Sequence, residues 1–271
     1  MSAVAHRSVG LARALGGYLG LAVILVLVLV LVATGVLSER RWAPFADIRV
    51  WRFLGEGLWV TVQIGATALV VSLVLAVPLA LARTGLPGPL RWPVIAWIEL
   101  VRATPVLALI LGITLYMPRD WLSPMWSATL ALTIYTSAVL AEILRAGILS
   151  IPRGEIDAAR SLGLSYPLAM WLVILPQAFR RMMPALVSQL ITLVKDTSLA
   201  SIAAVSELAG YARSTHSFYG NPAETYFLVA CIYFVINYTL SRIARRLETG
   251  RAQEPPVAIG GVVDQAPGGS I

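Results

Sequence analysis

The sequence predicts an all-α fold, a polytopic transmembrane helix bundle of about six spans. Three observations predict it: the composition, the spacing of the apolar segments and the placement of the arginines. Apolar residues make up 58% of the 271 and charged residues only 13%, with a mean hydropathy of +0.79. Soluble domains carry about a quarter charged residues, so this mixture cannot cover a water-facing surface.

Apolar segments run at 18–37, 58–82, 95–117, 125–147, 183–205 and 225–241. An α-helix rises about 1.5 Å per residue, so about 20 residues cross a hydrocarbon core about 30 Å thick. The first segment holds no charge and outruns the usual signal-peptide core. Ser38-Glu39-Arg40-Arg41 after it is a poor cleavage context, so it is predicted as a retained span behind a cytoplasmic segment 1–17. In the third segment Glu99 and Arg102 sit near the start and Pro105 follows. Pro lacks a backbone donor and disfavours helical geometry in the residue before it. The helix is therefore expected to run along the interface and turn at Thr104-Pro105. Lys195-Asp196 interrupts the fifth segment. The transmembrane domain 18–249 ends before a Gly- and Pro-rich stretch, 250–271, whose composition predicts a disordered tail.

Every basic residue is Arg except Lys195. With six spans and a cytoplasmic N-terminus, the inside set is Arg7, Arg13, Arg83, Arg91, Arg145, Arg153, Arg160, Arg180, Arg181, Arg242, Arg245, Arg246 and Arg251. The outside set is Arg40, Arg41, Arg49, Arg52, Arg119 and Arg213. Thirteen against six favours both termini inside, although four of the six share the loop 38–57. Spread along span ends, the +7 net charge reports orientation and not nucleic-acid binding. Cys231 is the only cysteine, and His6 and His216 are far apart. No disulfide framework or metal site is expected, and neither a His/Asp/Glu cluster nor a Gly-x-Ser-x-Gly elbow points to catalysis.

The loop 149–183, on the predicted cytoplasmic side, is far longer than the 2–8 residues that join helices in bundles. Ser150-Ile151-Pro152-Arg153-Gly154 breaks the preceding helix. Glu155 to Leu162 reads as two turns of helix, acidic early and basic late as the helix dipole prefers. Gly163 suits the left-handed position that ends it. A second short helical stretch follows, closed by Leu175-Pro176-Gln177. Small residues Ala158 and Ala159 beside Ile156 and Leu162 could seat this unit in a partner's groove; an amphipathic helix lying on the membrane is the alternative.

The loop carries Asp157-Ala158-Ala159, three residues, Gly163, nine residues, Val173, one residue, Leu175-Pro176. This resembles the signature of bacterial ABC importer permeases, with Asp for Glu and Val for Ile. Further motifs are similar to the polar amino-acid subfamily: Glu99-Leu100-Val101-Arg102-Ala103-Thr104-Pro105, Ala141-Glu142-Ile143-Leu144-Arg145-Ala146-Gly147, Leu175 to Arg180, and Leu193 to Leu199. They fall in order across about residues 50–245, and the first span looks like an addition to a five-span family core.

The resemblance implies a membrane-spanning subunit of an ATP-driven, binding-protein-dependent importer of a polar amino acid in the bacterial cell membrane. Its coupling helix would dock on a separate ATPase through Gly154, Asp157, Ala158, Ala159, Leu162, Gly163, Leu175 and Pro176. The ATPase is expected to be separate because no Gly-x-x-x-x-Gly-Lys-[Ser/Thr] loop occurs here, so ATP and Mg would reside on that partner and no cofactor on this chain. A second permease chain, identical or paralogous, and an extracytoplasmic binding protein complete the implied assembly.

Charges inside spans cost several kcal/mol and usually face a partner, water or substrate. Glu99 with Arg102, and Glu142 with Arg145, can share a helix face and are candidate structural ion pairs. Lys195 and Asp196, with Thr197 and Ser198, are candidate pathway residues. Adjacent residues diverge by about 100° on a helix, so either one charge pairs across to another helix or the helix is locally unwound. An ion-coupled secondary transporter is the alternative function, but it leaves the loop spacing unexplained.

Overall fold

The computed structural model describes residues 38–249 together with Val26, Val30 and Gly35, with side chains described through Ile243. The expected segment 1–17, nearly all of the first span 18–37, and the expected tail 250–271 lie outside the described residues.

A short helix α1 (Glu39–Trp42) and a 3-10 turn (Ala43–Ala46) lead into α2 (Ile48–Gly85). Asp47 caps α2 by accepting from the Arg49 N–H at 2.8 Å. The Arg49 guanidinium bonded to it holds that carboxyl below its usual range. Because this cap starts the helix early, Arg49 and Arg52 ride on its first turns and not in the loop expected over 38–57. At about 57 Å, α2 is longer than a bilayer core. Its buried stripe is mostly small: Gly57, Thr61, Gly65, Ala68, Ser72, Ala76 and Ala80. Val62, Val70, Val71 and Val74 point outward. Small residues inside and large apolar ones outside is the pattern of helices packing in lipid.

Next come α3 (Gly88–Ala103) and α4 (Val106–Tyr116). They bend by 97° at Thr104-Pro105, where Thr104 returns its N–H to Leu100 and Val101. The apolar segment 95–117 is thus two helices and no straight span, with the turn where Pro105 forces it. Central to the bundle is α5 (Pro124–Leu149), two-thirds of whose apolar window is buried. Two of its hydroxyls bond within the helix, Thr129 on Met125 O and Thr133 on Thr129 O, and Ser72 of α2 donates across to Thr133 O at 3.1 Å.

After α6 (Arg153–Ser161) the chain re-enters helix at α7 (Tyr166–Ala169), widens to a π-turn over Met170–Ile174 and continues as α8 (Leu175–Asp196). Here the expectation is corrected. Leu175-Pro176-Gln177 does not close a separate short helix, because Pro176 lies inside one continuous rod. Pro176 has no N–H to return to Leu172, and the wider turn immediately upstream absorbs the missing bond. The expected loop 149–183 therefore shrinks to two connectors around α6. A 3-10 segment (Thr197–Ala203), α9 (Leu208–Tyr219) and α10 (Pro222–Thr249) complete the described chain.

By length and composition α2, α5 and α10 can each cross a membrane, and the bent α3–α4 pair makes a fourth candidate. Helix α8 is long enough but carries Arg180, Arg181, Lys195 and Asp196. The buried core of the described residues falls into three clusters. Ile98, Leu144, Ile174 and Leu175 fill the α6 end. Ile64, Ile110, Leu132 and Leu193 fill the middle, and Leu54, Leu208 and Val229 the α9 end.

Candidate functional site

Helix α6 stands at one end of the bundle as an exposed knob. Gly163 has φ +84°. Its N–H bonds Arg160 O at 2.9 Å, and Leu164 N–H reaches back to Ala159 O at 3.2 Å. These paired bonds satisfy two carbonyls at the helix end and turn the chain sharply. Gly154, Asp157, Ala158 and Gly163 face outward, and Leu162 is 83% exposed at the tip. Ala159 and Leu175 are buried, so they anchor the knob and present no surface. Pro176 is exposed on the flank of the rod.

Gln177 of α8 donates to Glu155 of the knob at 3.1 Å, and the Arg181 guanidinium donates to the carbonyl of Ser150, the residue that ends α5, at 2.5 Å. Where α5 meets α8, a Cβ on Gly147 would lie 3.0 Å from Met182 Sδ and 3.3 Å from Ala178 O. The two rods approach closely because Gly147 has no side chain.

At the same end, the candidate ion pairs belong to one lattice. Arg102 Nη1 lies 3.7 Å from Glu99 Oε2, and Arg145 Nε donates to Glu142 Oε1 at 2.6 Å. Arg83 of α2 joins them, with Nη2 2.9 Å from Glu99 Oε1 and Nη1 2.9 Å from Glu142 Oε2. In the sequence alone Arg83 marks only orientation. Its place at the end of a span, with carboxylates at the same depth on the next two, was the available signal.

Among the exposed residues of α8, Arg181, Ala185, Ser188, Thr192 and Lys195 form a stripe at three- and four-residue spacing. The opposite face buries Ala178, Met182 and Leu193. A hydroxyl-and-ammonium face at membrane depth is costly against hydrocarbon and suits water or another protein. Among the described residues, neither Lys195 nor Asp196 has an opposite charge of another helix within 4 Å. Neither expected alternative is seen: Lys195 and Asp196 stay in the α-helix, which tightens to 3-10 winding from Thr197.

The four pathway candidates do not act alike. Lys195 is exposed, Asp196 and Ser198 are half-buried, and Thr197 is fully buried with its hydroxyl on Val194 O at 2.7 Å. Thr197 therefore lines no open path in this conformation, and its methyl packs against α2 where Gly65 leaves room. Nearby, Glu207 is a fully buried carboxylate that receives hydrogen bonds from α2, α9 and α10. It went unmarked because it lies between apolar segments and matches no motif.

Residues 68–253 match the family described as the inner membrane component of binding-protein-dependent transport systems. The chain is 35% identical over 234 residues to the glutamate transport system permease protein GluD of Corynebacterium glutamicum, covering 83% of this chain and 86% of that one. It is 38% identical over 204 residues to the probable glutamine ABC transporter permease protein GlnP of Bacillus subtilis, covering 72% and 92%. A solved amino acid ABC transporter chain is similar in structure, with TM-score 0.68 and 29% identity over 76% of this chain and 97% of that one. A chain of the MetNI methionine transporter shares the fold at TM-score 0.60 and 22% identity, over 74% and 99%. With the family match spanning most of the chain and the bundle matching solved permeases, this multi-pass membrane protein belongs to the family of inner membrane components of binding-protein-dependent transport systems.

Proposed function

We propose that the chain is the membrane-spanning permease of an ATP-driven importer of a polar amino acid, and that α8 links its coupling knob to its translocation pathway. The observation that carries this reading is the polar stripe of α8. It begins at Arg181, beside the knob, and ends at Lys195 about 20 Å away along the helix. The knob is held to α8 by Glu155–Gln177, and α8 to the end of α5 by Arg181–Ser150 and the Gly147 contact. A push on α6 therefore moves α8 as a rod and displaces Lys195, Asp196 and Ser198 at its far end.

In this scheme the knob docks on a separate ATPase that carries ATP and Mg, outward-facing Gly154, Asp157, Ala158, Leu162 and Gly163 making the contact. A second permease chain, identical or paralogous, covers the stripe and completes a two-sided path. An extracytoplasmic binding protein delivers substrate at the α9 end. The knob and both termini face the cytoplasm of a bacterial cell. A polar amino acid as cargo rests on the relatives' names and on the charged and hydroxylic character of the stripe's far end.

Reconstitution with the ATPase and binding protein tests the function. ATP-dependent uptake of labelled glutamate or glutamine is expected, and uptake driven by an ion gradient without the ATPase would establish a secondary transporter instead. Orientation has its own check: a cysteine at Ser161 labels only from the cytoplasmic side and one at Ser217 only from outside. Labelling of both from one side overturns the topology. Lys195→Met should raise the uptake KM roughly three- to tenfold, the weight of one charge-assisted contact partly open to water, while ATPase binding is unchanged. Wild-type uptake kinetics in Lys195→Met would remove it from the pathway.

A further inference from the structure

The cap of α9 is unusual in kind. Helix N-caps favour short side chains such as Ser, Thr, Asp and Asn, whose oxygen folds back on the first free N–H groups. Here the cap is Glu207, whose Oε1 accepts from Ala209 N at 2.9 Å and Gly210 N at 3.1 Å. The extra methylene extends the other oxygen away from the helix. Oε2 accepts from Thr61 Oγ1 of α2 at 3.1 Å and from Tyr233 Oη of α10 at 2.9 Å. Thr61 Oγ1 in turn accepts from Leu208 N at 3.1 Å. The carboxylate is fully buried and Thr61 nearly so. Four donors from three helices meet on it, which is what a buried charge requires.

The position of this knot on α2 gives it a consequence beyond capping. Four residues after Thr61 on the same helix face comes Gly65. There a Cβ would meet Thr197 Cγ2 at 3.8 Å and Val194 Cγ2 at 4.0 Å. The segment 197–207 is thus pinned at both ends to one face of α2, Thr197 at Gly65 and Glu207 at Thr61, about 6 Å apart along the helix. Between the pins the chain coils back compactly through the 3-10 turns. Ala204 sits in the left-handed region at φ 59°, and Val205 N returns to Ala200 O at 3.1 Å. The Val205 carbonyl passes where a Cβ on Gly210 would lie only 2.7 Å from its oxygen. With both ends fixed, the segment leaving Lys195 and Asp196 has little freedom of its own.

We propose that Glu207 is a positioning residue: by clamping Thr61 of α2 and Tyr233 of α10, it fixes the 197–207 segment and so sets where Lys195, Asp196 and Ser198 present themselves to substrate. The inference rests on the reading of that cluster as pathway. It also accounts for Glu in place of a shorter cap, since only the longer side chain reaches both the helix N–H groups and the two hydroxyls. Fixing reacting or binding groups to within a fraction of an ångström is where such second contacts act most strongly.

The discriminating variant is Glu207→Asp. Asp is a better helix cap than Glu but too short to reach Thr61 and Tyr233, so it keeps the helix start and releases the clamp. Tyr233→Phe and Thr61→Val each remove one donor and keep the shape of the site, and they carry the test if Glu207→Asp fails to fold. The assay is uptake of labelled glutamate and glutamine by the complete reconstituted transporter, with thermal stability measured beside it. The expected result is an uptake KM raised about tenfold in Glu207→Asp and by less in the single-donor variants, with ATPase binding unchanged. Wild-type KM in all of them, with only a lowered melting temperature, would make Glu207 a structural cap and overturn the proposal. Lys195→Met, run alongside, separates the failures. If it raises KM while the clamp variants do not, the clamp alone is wrong; if neither does, the pathway reading falls as well.

Discussion

Gly163→Val should reach the membrane at normal abundance yet bind the proposed ATPase partner about thirtyfold more weakly, with a matching loss of uptake. The argument is confined to one backbone angle. Gly163 sits at φ +84°, with nothing within 4 Å of the place a Cβ would occupy. The added side chain therefore meets no clash, and the bundle core is untouched. The cost is conformational: left-handed geometry penalises an L-residue by about 1–2 kcal/mol, and a β-branched one falls at the upper end. If docking requires the native turn, apparent affinity drops by the fraction of chains that hold it, and about 2 kcal/mol is about thirtyfold. Two controls isolate the angle. Gly163→Asn should stay close to wild type because Asn tolerates this region. Gly55→Val, equally open to solvent but in ordinary helical geometry on α2 and away from the knob, should change affinity by less than about threefold. Equal behaviour of Gly55→Val and Gly163→Val would remove the turn from the docking surface.

What the sequence disclosed, and what it hid, divides along a physical line. Features written in local chemistry were legible. Pro105 announced a turn in the third segment, and the left-handed Gly163 after a dipole-patterned helix announced the knob. Segment length against bilayer thickness located α2, α5 and α10. Features that depend on which faces meet were not legible. Nothing local in Arg83 says that it bridges Glu99 and Glu142 from another helix, or in Glu207 that Thr61 and Tyr233 converge on it from 146 and 26 residues away. Pro176 misled for the converse reason. Proline usually ends a helix, but here packing of Ile174, Leu175 and Ala178 into the core holds the rod together through a wider turn. Thr197 was grouped with its polar neighbours by sequence adjacency alone, whereas the change of winding at that residue turns it inward.

Arg83→Met should lower the melting temperature of the assembled permease by about 4–8 °C, from a loss of about 2 kcal/mol. Arg83 is the only residue of the lattice that joins three helices, reaching Glu99 on α3 and Glu142 on α5 from α2. The two halves of the loss are unequal. The Glu99 side chain is 54% exposed and keeps Arg102 at 3.7 Å, so water and the neighbouring guanidinium compensate it and that half costs little. Glu142 is 18% exposed. Without Arg83 its Oε2 loses its charge partner in a poorly solvated place, while Arg145 still holds Oε1. The retained partner keeps the penalty below the 3–5 kcal/mol typical of a fully orphaned buried charge. Three comparisons test this division. Glu99→Gln should cost less than about 1 kcal/mol. Arg83→Lys should fall between wild type and Arg83→Met, because a compact ammonium cannot grip two carboxylates on different helices as a planar fork does. Glu142→Gln placed on Arg83→Met should recover part of the loss, since it removes the charge left unpaired. A melting temperature unmoved in Arg83→Met, or a larger effect from Glu99→Gln than from Glu142→Gln, would show that the lattice is not what holds α2, α3 and α5 together.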